Sequence, residues 1–293
     1  MILLTLLACT SDDTAAADPG ALFVGGGFAC LLEDGTATCQ FLDAREFDYG
    51  QAAPPEQGWT TLALGFGTAC GLRPDGTARC WGWNASGQAD VPAGEWTKIA
   101  IGNEHGCGLR PDASIACWGA NYGGETVPPS GSYSDVAVYS NDSVGIATAE
   151  GTLDTWGYHV GQDSHTAAPD GSFRTVEGLG AACALDAAGA LSCWGSPDYG
   201  ITAPPVGTGY TAVTVGVFHA CALNPAREAV CWGDDTYGQI STTPAGVWHS
   251  IDAGRALTCG VRDDASIECW GCYGEGDEYC KWGTPVVPEG TAR

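Results

Sequence analysis

The sequence predicts an all-β protein, a ring of seven small sheets, and three observations predict it: composition, an internal repeat, and a hairpin signal inside each copy. Glycine makes up 44 of 293 residues, about twice its ordinary share of roughly 7%, while charged residues stand at 16% against about 25% in ordinary domains. Only two lysines occur, Lys98 and Lys281, and no long Ala/Glu/Lys/Leu-rich window is present, which disfavours helix bundles and coiled coils. Cys-Trp-Gly or a variant recurs with its Trp at 81, 118, 156, 194, 232 and 270, at intervals of 37, 38, 38, 38 and 38. The leading cysteines fall at 30, 70, 107, 183, 221 and 259, and the 76-residue gap from Cys107 to Cys183 is two periods. A seventh copy lies in that gap, with Thr155-Trp156-Gly157 for Cys-Trp-Gly and Val144 or Gly145 for the first cysteine.

Each copy has the same order of parts. An opening run begins with an aromatic, Trp59, Trp96, Tyr133, Phe173, Tyr210 or Trp248, and a large ring at a fixed repeat position reads as a core spacer. Two short runs then flank a turn, as in Thr68-Ala-Cys-Gly-Leu72 and Thr77-Ala-Arg-Cys-Trp81 around Asp75-Gly76. Asp-Gly between alternating segments is a strong hairpin signal, because glycine accepts the positive φ of the turn. It appears at Asp34-Gly35 and Asp75-Gly76, with Glu150-Gly151 and Ala188-Gly189 as weaker copies. A glycine-rich loop follows, and then Pro-rich connections such as Ala53-Pro54-Pro55, Val127-Pro128-Pro129 and Ala203-Pro204-Pro205, where a missing amide donor is tolerated. Such units cannot bury both faces alone, and radial closure solves that for β units. Seven of them fit a seven-bladed β-propeller with four-stranded blades. The opening strand Ala21-Leu-Phe-Val24 is expected to close the ring beside the last unit and to remove two exposed sheet edges.

Cys80-Trp-Gly-Trp-Asn-Ala-Ser-Gly-Gln88, Cys231-Trp-Gly-Asp-Asp-Thr-Tyr-Gly-Gln239 and His219-Ala-Cys-Ala-Leu223 resemble the repeats of the regulator of chromosome condensation (RCC1) family. The resemblance covers roughly 21–293 and implies one seven-bladed propeller there, with residues 1–20 outside it. The first copy departs from the pattern in having Cys39-Gln40 without a Trp, and the fourth lacks both cysteines.

Cysteine pairs 70/80, 107/117, 183/193, 221/231 and 259/269 share a spacing of 10, and 30/39 has 9 around a shorter turn. An even spacing across a hairpin sets both side chains on one sheet face, within disulfide reach where the pair is not hydrogen-bonded. The fourth copy loses both cysteines together, as bonded partners would. Cys272 and Cys280 form an additional candidate pair, giving seven disulfides. Structural zinc and free thiols are the competing readings. Only Cys269-x-x-Cys272 has zinc-knuckle spacing, with no second half except Cys280.

Met1 to Ala8 is an apolar run that stops at Cys9 and gives way to a polar stretch rich in Ser, Thr, Asp and Ala. Leu6-Leu7-Ala8-Cys9 resembles the lipobox of bacterial lipoproteins, which implies that residues 1–20 are a signal segment and tether and that Cys9 is acylated. The run is too short to span a bilayer, which takes about 20 apolar residues. With fifteen cysteines in the chain, the expected location is extracytoplasmic, lipid-anchored at a bacterial outer membrane or cell surface.

Eleven basic against 35 acidic residues give a net charge of −24, which disfavours a nucleic-acid partner. No Gly-x-Ser-x-Gly elbow, phosphate-binding Gly-x4-Gly-Lys or His-Glu-x-x-His is present, so neither catalysis nor a cofactor is expected. His105 and His219 share one repeat position, two residues before a cysteine, and read as scaffold; His159, His165 and His249 read as isolated. Acid clusters such as Asp234-Asp235, Asp263-Asp264 and Glu275/Asp277/Glu278 lack the order of a calcium loop, so they read as a solvated rim with no metal. The loops after each Trp-Gly gather aromatics, namely Tyr49, Trp83, Tyr122, Tyr158, Tyr199, Tyr237 and Tyr273, and the repeat brings them to one end of the ring. The alternatives for them are a binding face and packing between blades. The expected function is a non-catalytic, monomeric binding scaffold on the cell envelope, offering one face to a protein or glycan. Its rivals are a secreted enzyme inhibitor of the β-lactamase-inhibitor-protein type, guanine-nucleotide exchange as the family name implies, and a polysaccharide hydrolase needing a close carboxylate pair.

Overall fold

The structure is a computed structural model and describes residues 20–42, 48–160, 165 and 167–271. Cys9, Cys272, Tyr273 and Cys280 lie outside them. The strands form seven antiparallel sheets of three, in simple sequence order. Blade 1 is β1 (Ala21–Val24), β2 (Phe28–Glu33) and β3 (Thr36–Phe41); blade 2 is β4 (Thr61–Leu64), β5 (Thr68–Leu72) and β6 (Ala78–Gly82). Blade 3 is β7 (Lys98–Ile101), β8 (His105–Leu109) and β9 (Ile115–Gly119); blade 4 is β10 (Tyr133–Tyr139), β11 (Asp142–Ala147) and β12 (Leu153–Gly157). Blade 5 is β13 (Phe173–Gly178), β14 (Ala181–Asp186) and β15 (Leu191–Gly195); blade 6 is β16 (Ala212–Val215), β17 (His219–Leu223) and β18 (Ala229–Gly233). Blade 7 is β19 (Ser250–Ala253), β20 (Thr258–Val261) and β21 (Ile267–Trp270). The expected fourth strand is therefore corrected: among the described residues, no blade has one. The Pro-rich segments at 53–55, 127–129 and 203–205 lie outside the strands, as residues without an amide donor do.

The core lies between blades, because a three-stranded sheet in a ring buries both faces against its neighbours. Seven apolar clusters each join two adjacent blades, from Trp59 and Leu62 against Phe28 and Cys30 round to Leu257, Cys259 and Val261 against Leu22 and Val24. The opening aromatics act as spacers. Trp59 stacks on Trp81 at 5.6 Å, and Trp96 and Trp248 meet Trp118 and Trp270 at 5.4 and 5.3 Å. Each ring lies over the residue after the first cysteine, so that residue must be small: a Cβ on Gly71, Gly108 or Gly260 would enter the ring of Trp59, Trp96 or Trp248.

The Gly-Gln signature is a latch. Gln51, Gln88 and Gln239 are fully buried, and each Oε1 accepts the amide of the residue two before it, Tyr49, Ser86 or Tyr237. Glu125 does the same for Gly123 in the third copy. The carbonyls of Gln51, Gln88 and Glu125 in turn accept the indole N–H of the next blade's Trp81, Trp118 and Trp156 at 2.9, 2.9 and 3.0 Å. Trp and Gln are thus tied blade to blade.

β1 does pack beside blade 7, but its ladder is with β2 in its own sheet. Closure is consequently face to face and shares no sheet edge, unlike the expectation. Asp252 of β19 supplies the polar part, its carboxylate accepting the Val24 amide at 2.7 Å and the Thr214 hydroxyl at 2.8 Å. One side chain thereby links blades 6, 7 and 1.

Candidate functional site

Cross-blade geometry makes the two ends of the ring different. At one end, each Asp-Gly-type turn meets the opener of the next blade: the Trp59, Trp96, Tyr133, Phe173, Tyr210 and Trp248 amides donate to the carbonyls of residues 35, 76, 113, 151, 189 and 227. At the other end, the loop leaving the third strand starts beside its blade's own first turn, as the amides of Trp83, Ala120, Tyr158 and Asp234 donate to the carbonyls of Gly67, Glu104, Asn141 and Phe218. The loops after Trp-Gly therefore share this second end.

Aromatic side chains do stand there. Tyr122 is 67% exposed and Tyr199 54%, with Tyr49 and Tyr158 also exposed, whereas Trp83 and Tyr237 are half-buried. Tyr49 stacks on Trp83 at 5.9 Å, and Tyr199 meets Phe218 edge-on at 4.8 Å. Phe218 and Phe66, on first turns, lie 5.9 and 5.2 Å from the Arg255 guanidinium. Asp48, Asp90, Asp198, Asp234 and Asp235 occupy the same loops. Arg255 is the basic side chain of this end among the described residues. Arg73, Arg110 and Arg262 instead lie over the rings of Trp59, Trp96 and Trp248 at the hairpin end.

An axial cavity of about 490 Å³ is lined by the opening strands of all seven blades. Most of its lining residues are apolar in type, and among them stands a polar group that sequence reasoning missed. Lys98 Nζ lies 2.6 Å from Asp135 Oδ1 and 3.7 Å from Glu177 Oε1. Asp135 also accepts the Val176 amide at 3.0 Å, so it ties blades 3, 4 and 5 much as Asp252 ties 6, 7 and 1. Burial opposes the charge on Lys98, but Glu177 and Asp135 more than reverse this and hold the ammonium above its ordinary pKa. Burial raises the Glu177 carboxyl, with the Asp135 charge adding and Lys98 opposing. Asp252 is pushed up to about 7, chiefly by burial and against its hydrogen bonds from Thr214 and Val24. Charged residues inside otherwise apolar opening strands were the available signal.

The reading of His159 and His165 as isolated is corrected. The loop after Trp156 folds back so that His159 Nδ1 lies 3.2 Å from Asp142 Oδ2, while the His159 amide donates to Asp142 Oδ1 at 2.7 Å. The His165 ring stacks on that of His159 at 4.2 Å. Sequence spacing hid the cluster because Asp142 starts the preceding strand. His249 is at the hairpin end, 3.6 Å from Asp263.

His105 and His219 are buried and join blades: Nε2 of each meets the hydroxyl of Ser143 or Thr258 on the next blade, at 2.9 and 2.6 Å. Burial lowers both imidazoles to about 4, against the opposing charges of Glu125 and Asp234. Disulfides join Cys30–Cys39, Cys70–Cys80, Cys107–Cys117, Cys183–Cys193, Cys221–Cys231 and Cys259–Cys269. In blade 3 the Arg110 amide donates to Ser114, marking a hydrogen-bonded pair, and three steps along the ladder Cys107 faces Cys117 at a non-bonded pair, Cα to Cα 4.0 Å. That is the position where cross-strand side chains come closest.

Residues 59–88 and 210–239 match the family model "Regulator of chromosome condensation (RCC1) repeat". No curated protein matches the chain. Among solved structures, the chain is similar to the ectodomain of the receptor kinase CR4 from Physcomitrella patens, with TM-score 0.72 and 24% identity over 85% of this chain and 72% of that one. It is also similar to the CRINKLY WD40 ectodomain of the receptor kinase ACR4 from Arabidopsis thaliana, with TM-score 0.68 and 23% identity over 86% and 95%. Prp20p from Saccharomyces cerevisiae, whose structure was described with its binding to Gsp1p and histones, matches at TM-score 0.63 and 14% identity over 88% and 83%. At these identities the likeness is one of fold.

Proposed function

We propose, from the premise that this chain is a seven-bladed RCC1-repeat propeller, that it is a non-catalytic binding scaffold acting outside the cytoplasm. Its loop end is the binding face, and the partner is a protein that presents basic residues there. The observation that carries this reading is the exposure of Tyr122, Tyr199, Tyr49 and Tyr158 among acidic loops at one end of a rigid ring. Aromatic anchors dominate contact energy at interfaces, and acids around them select a cationic counterpart. Six disulfides support an oxidising compartment. Likeness to two receptor ectodomains agrees with that location. Acylation at Cys9 would hold the ring to a bacterial outer membrane or surface, and the monomer is the unit that binds.

The experiment is affinity capture from envelope and secreted fractions by the oxidised chain, at low and high salt, with two variants. One variant carries Tyr122→Ala, Tyr199→Ala and Trp83→Ala; the other carries Arg110→Ala and Arg262→Ala at the hairpin end. The expected result is one protein, released by salt, lost with the first variant and kept by the second. Equal retention by both variants, or loss only with the second, would place binding elsewhere. A retained glycan in place of a protein would overturn the choice of partner. Separately, Cys9→Ser should move the protein from the membrane to the soluble fraction.

A further inference from the structure

Blade 4 departs from the repeat in two ways that coincide in space. It lacks the disulfide, with Val144 facing Thr155 where other blades pair cysteines, and it carries a carboxylate and two imidazoles at the open end of the same hairpin, two ladder steps from that pair. Asp142 opens β11 and is 1% exposed, while Phe28, Thr68, His105, Ala181 and His219 stand at that position in other blades. Both Asp142 oxygens face His159, the second residue after β12. One ligand atom from each of Asp142, His159 and His165 lies within 4.8 Å of the other two.

We propose that Asp142, His159 and His165 form a zinc site that ties the open end of the blade 4 hairpin, the hairpin without a disulfide. Two imidazoles and one carboxylate are the donor set of zinc and its first-row neighbours; calcium and magnesium prefer all-oxygen sites. With metal–ligand bonds of about 2.0–2.1 Å, the edge of a zinc tetrahedron is about 3.4 Å. The 3.2 Å between Asp142 Oδ2 and His159 Nδ1 is already close to such an edge. The His159 and His165 rings lie within 12° of parallel, so His165 completes the set by turning about its Cβ–Cγ bond until a nitrogen points at the same centre. Asp142 is held rigidly by the strand, and the two half-buried histidines leave the fourth position open to water. Metal at this place joins β11 to the segment after β12, so binding the folded state stabilises the blade by mass action.

The test uses the full chain with its disulfides intact, free thiols alkylated and metal removed by chelator. Zinc is titrated by calorimetry and by thermal unfolding. The expected result is one saturable zinc per chain, a melting temperature that rises with zinc, and no response to calcium. His165→Ala leaves the Asp142 to His159 contact in place, so its metal-free melting temperature should match wild type while zinc affinity falls by about 100-fold; Asp142→Asn should lose at least about tenfold. Cobalt in place of zinc should show the visible absorption of a four-coordinate site in wild type and not in His165→Ala. Absence of saturable zinc binding in wild type, or binding unchanged in a His159→Ala/His165→Ala double variant, would overturn the site, whatever becomes of the binding face.

Discussion

Blade 3 and blade 4 are adjacent, built on one pattern, and differ where the pattern carries its cross-link. Both have three strands, a buried opening ring (Trp96 or Tyr133) over a glycine (Gly108 or Gly145), and a tryptophan whose indole donates to a carbonyl of the preceding loop. Blade 3 joins Cys107 to Cys117; blade 4 pairs Val144 with Thr155 in the same register. The blade survives without its bridge because Val144 and Ile146 are fully buried, in a cluster that also holds Phe173 and Val176 of blade 5. A disulfide acts largely by restricting the unfolded chain, whereas a packed valine acts on the folded one. The repeat is thus defined by packing between blades, and the bridge is an addition to it.

Exchanging the two arrangements should give the largest effect. Closing a loop of about ten residues contributes roughly 2–3 kcal/mol in the chain-entropy model. Cys107→Ser with Cys117→Ser should therefore lower the unfolding free energy by about that much, read from denaturant midpoint and slope together, since an uncrosslinked unfolded chain is less compact. Val144→Cys with Thr155→Cys should form a bridge, seen by peptide mapping without reductant, and recover a smaller gain because a well-packed valine is lost. If the second pair stays reduced in an oxidising buffer, the ladder of blade 4 is not equivalent to that of blade 3.

The interface between these blades carries a pH dependence. His105 of blade 3 meets Ser143 of blade 4, and its imidazole, like that of His219, is lowered by burial to about 4 from 6.5. Between those pH values the unfolded chain binds two protons that the folded chain does not, so stability falls as pH falls. Asp252 acts in the opposite sense: raised to about 7 from 3.8, it holds a proton in the folded chain that the unfolded chain has lost, a contribution that disappears as pH rises through 7. Each of these three groups therefore changes the slope by about 1.4 kcal/mol per pH unit between pH 6 and 4.5, and the raised Glu177 and Asp142 carboxyls act in the sense of Asp252. His105→Gln should lower the slope by about that much, and Asp252→Asn should raise it by the same amount. Unfolding free energies measured at pH 6, 5 and 4.5 decide, and a slope indifferent to both variants would refute the assignment.

What repeats in the chain was legible, because periodicity reports packing. The tryptophans, opening rings, turn glycines and paired cysteines each recur at a fixed position and their packing recurs with them, although the Trp194 indole donates to the Tyr139 hydroxyl where Trp81, Trp118, Trp156 and Trp232 reach a loop carbonyl. Blade number and the shared end of the loops follow from that regularity. The three-strand width was not legible, since it depends on a connection failing to pair. Nor were the groups that break the pattern: Lys98 meets Asp135 and Glu177 across three adjacent blades, Asp252 reaches Val24 and Thr214 on its two neighbours, and Asp142 meets His159 and His165 through the return of a loop. Such meetings depend on the closed ring or on loop paths, which a linear spacing does not encode.

The hairpin turns give the finest contrast, one that costs a single methyl group. Gly151 of blade 4 has φ 71°, and Ala113 of blade 3 holds the same turn position at φ 68°. A side chain in this left-handed region costs about 1–2 kcal/mol, against which glycine loses about 0.5–1 kcal/mol more backbone freedom on folding. Ala113→Gly should therefore stabilise by only about 0.5 kcal/mol. The reverse change should be larger, because a Cβ on Gly151 would also crowd the Phe173 carbonyl at 3.0 Å and clash with the Ser172 hydroxyl, whereas on Gly76 its nearest neighbours would be Glu95 Cβ at 3.2 Å and the Trp96 carbonyl at 3.4 Å. The expected order of destabilisation is Gly151→Ala above Gly76→Ala, with Ala113→Gly of opposite sign. Equal losses at residues 76 and 151 would mean that the turn conformation alone sets the cost, and that the tighter seating of the blade 4 hairpin against blade 5 contributes nothing.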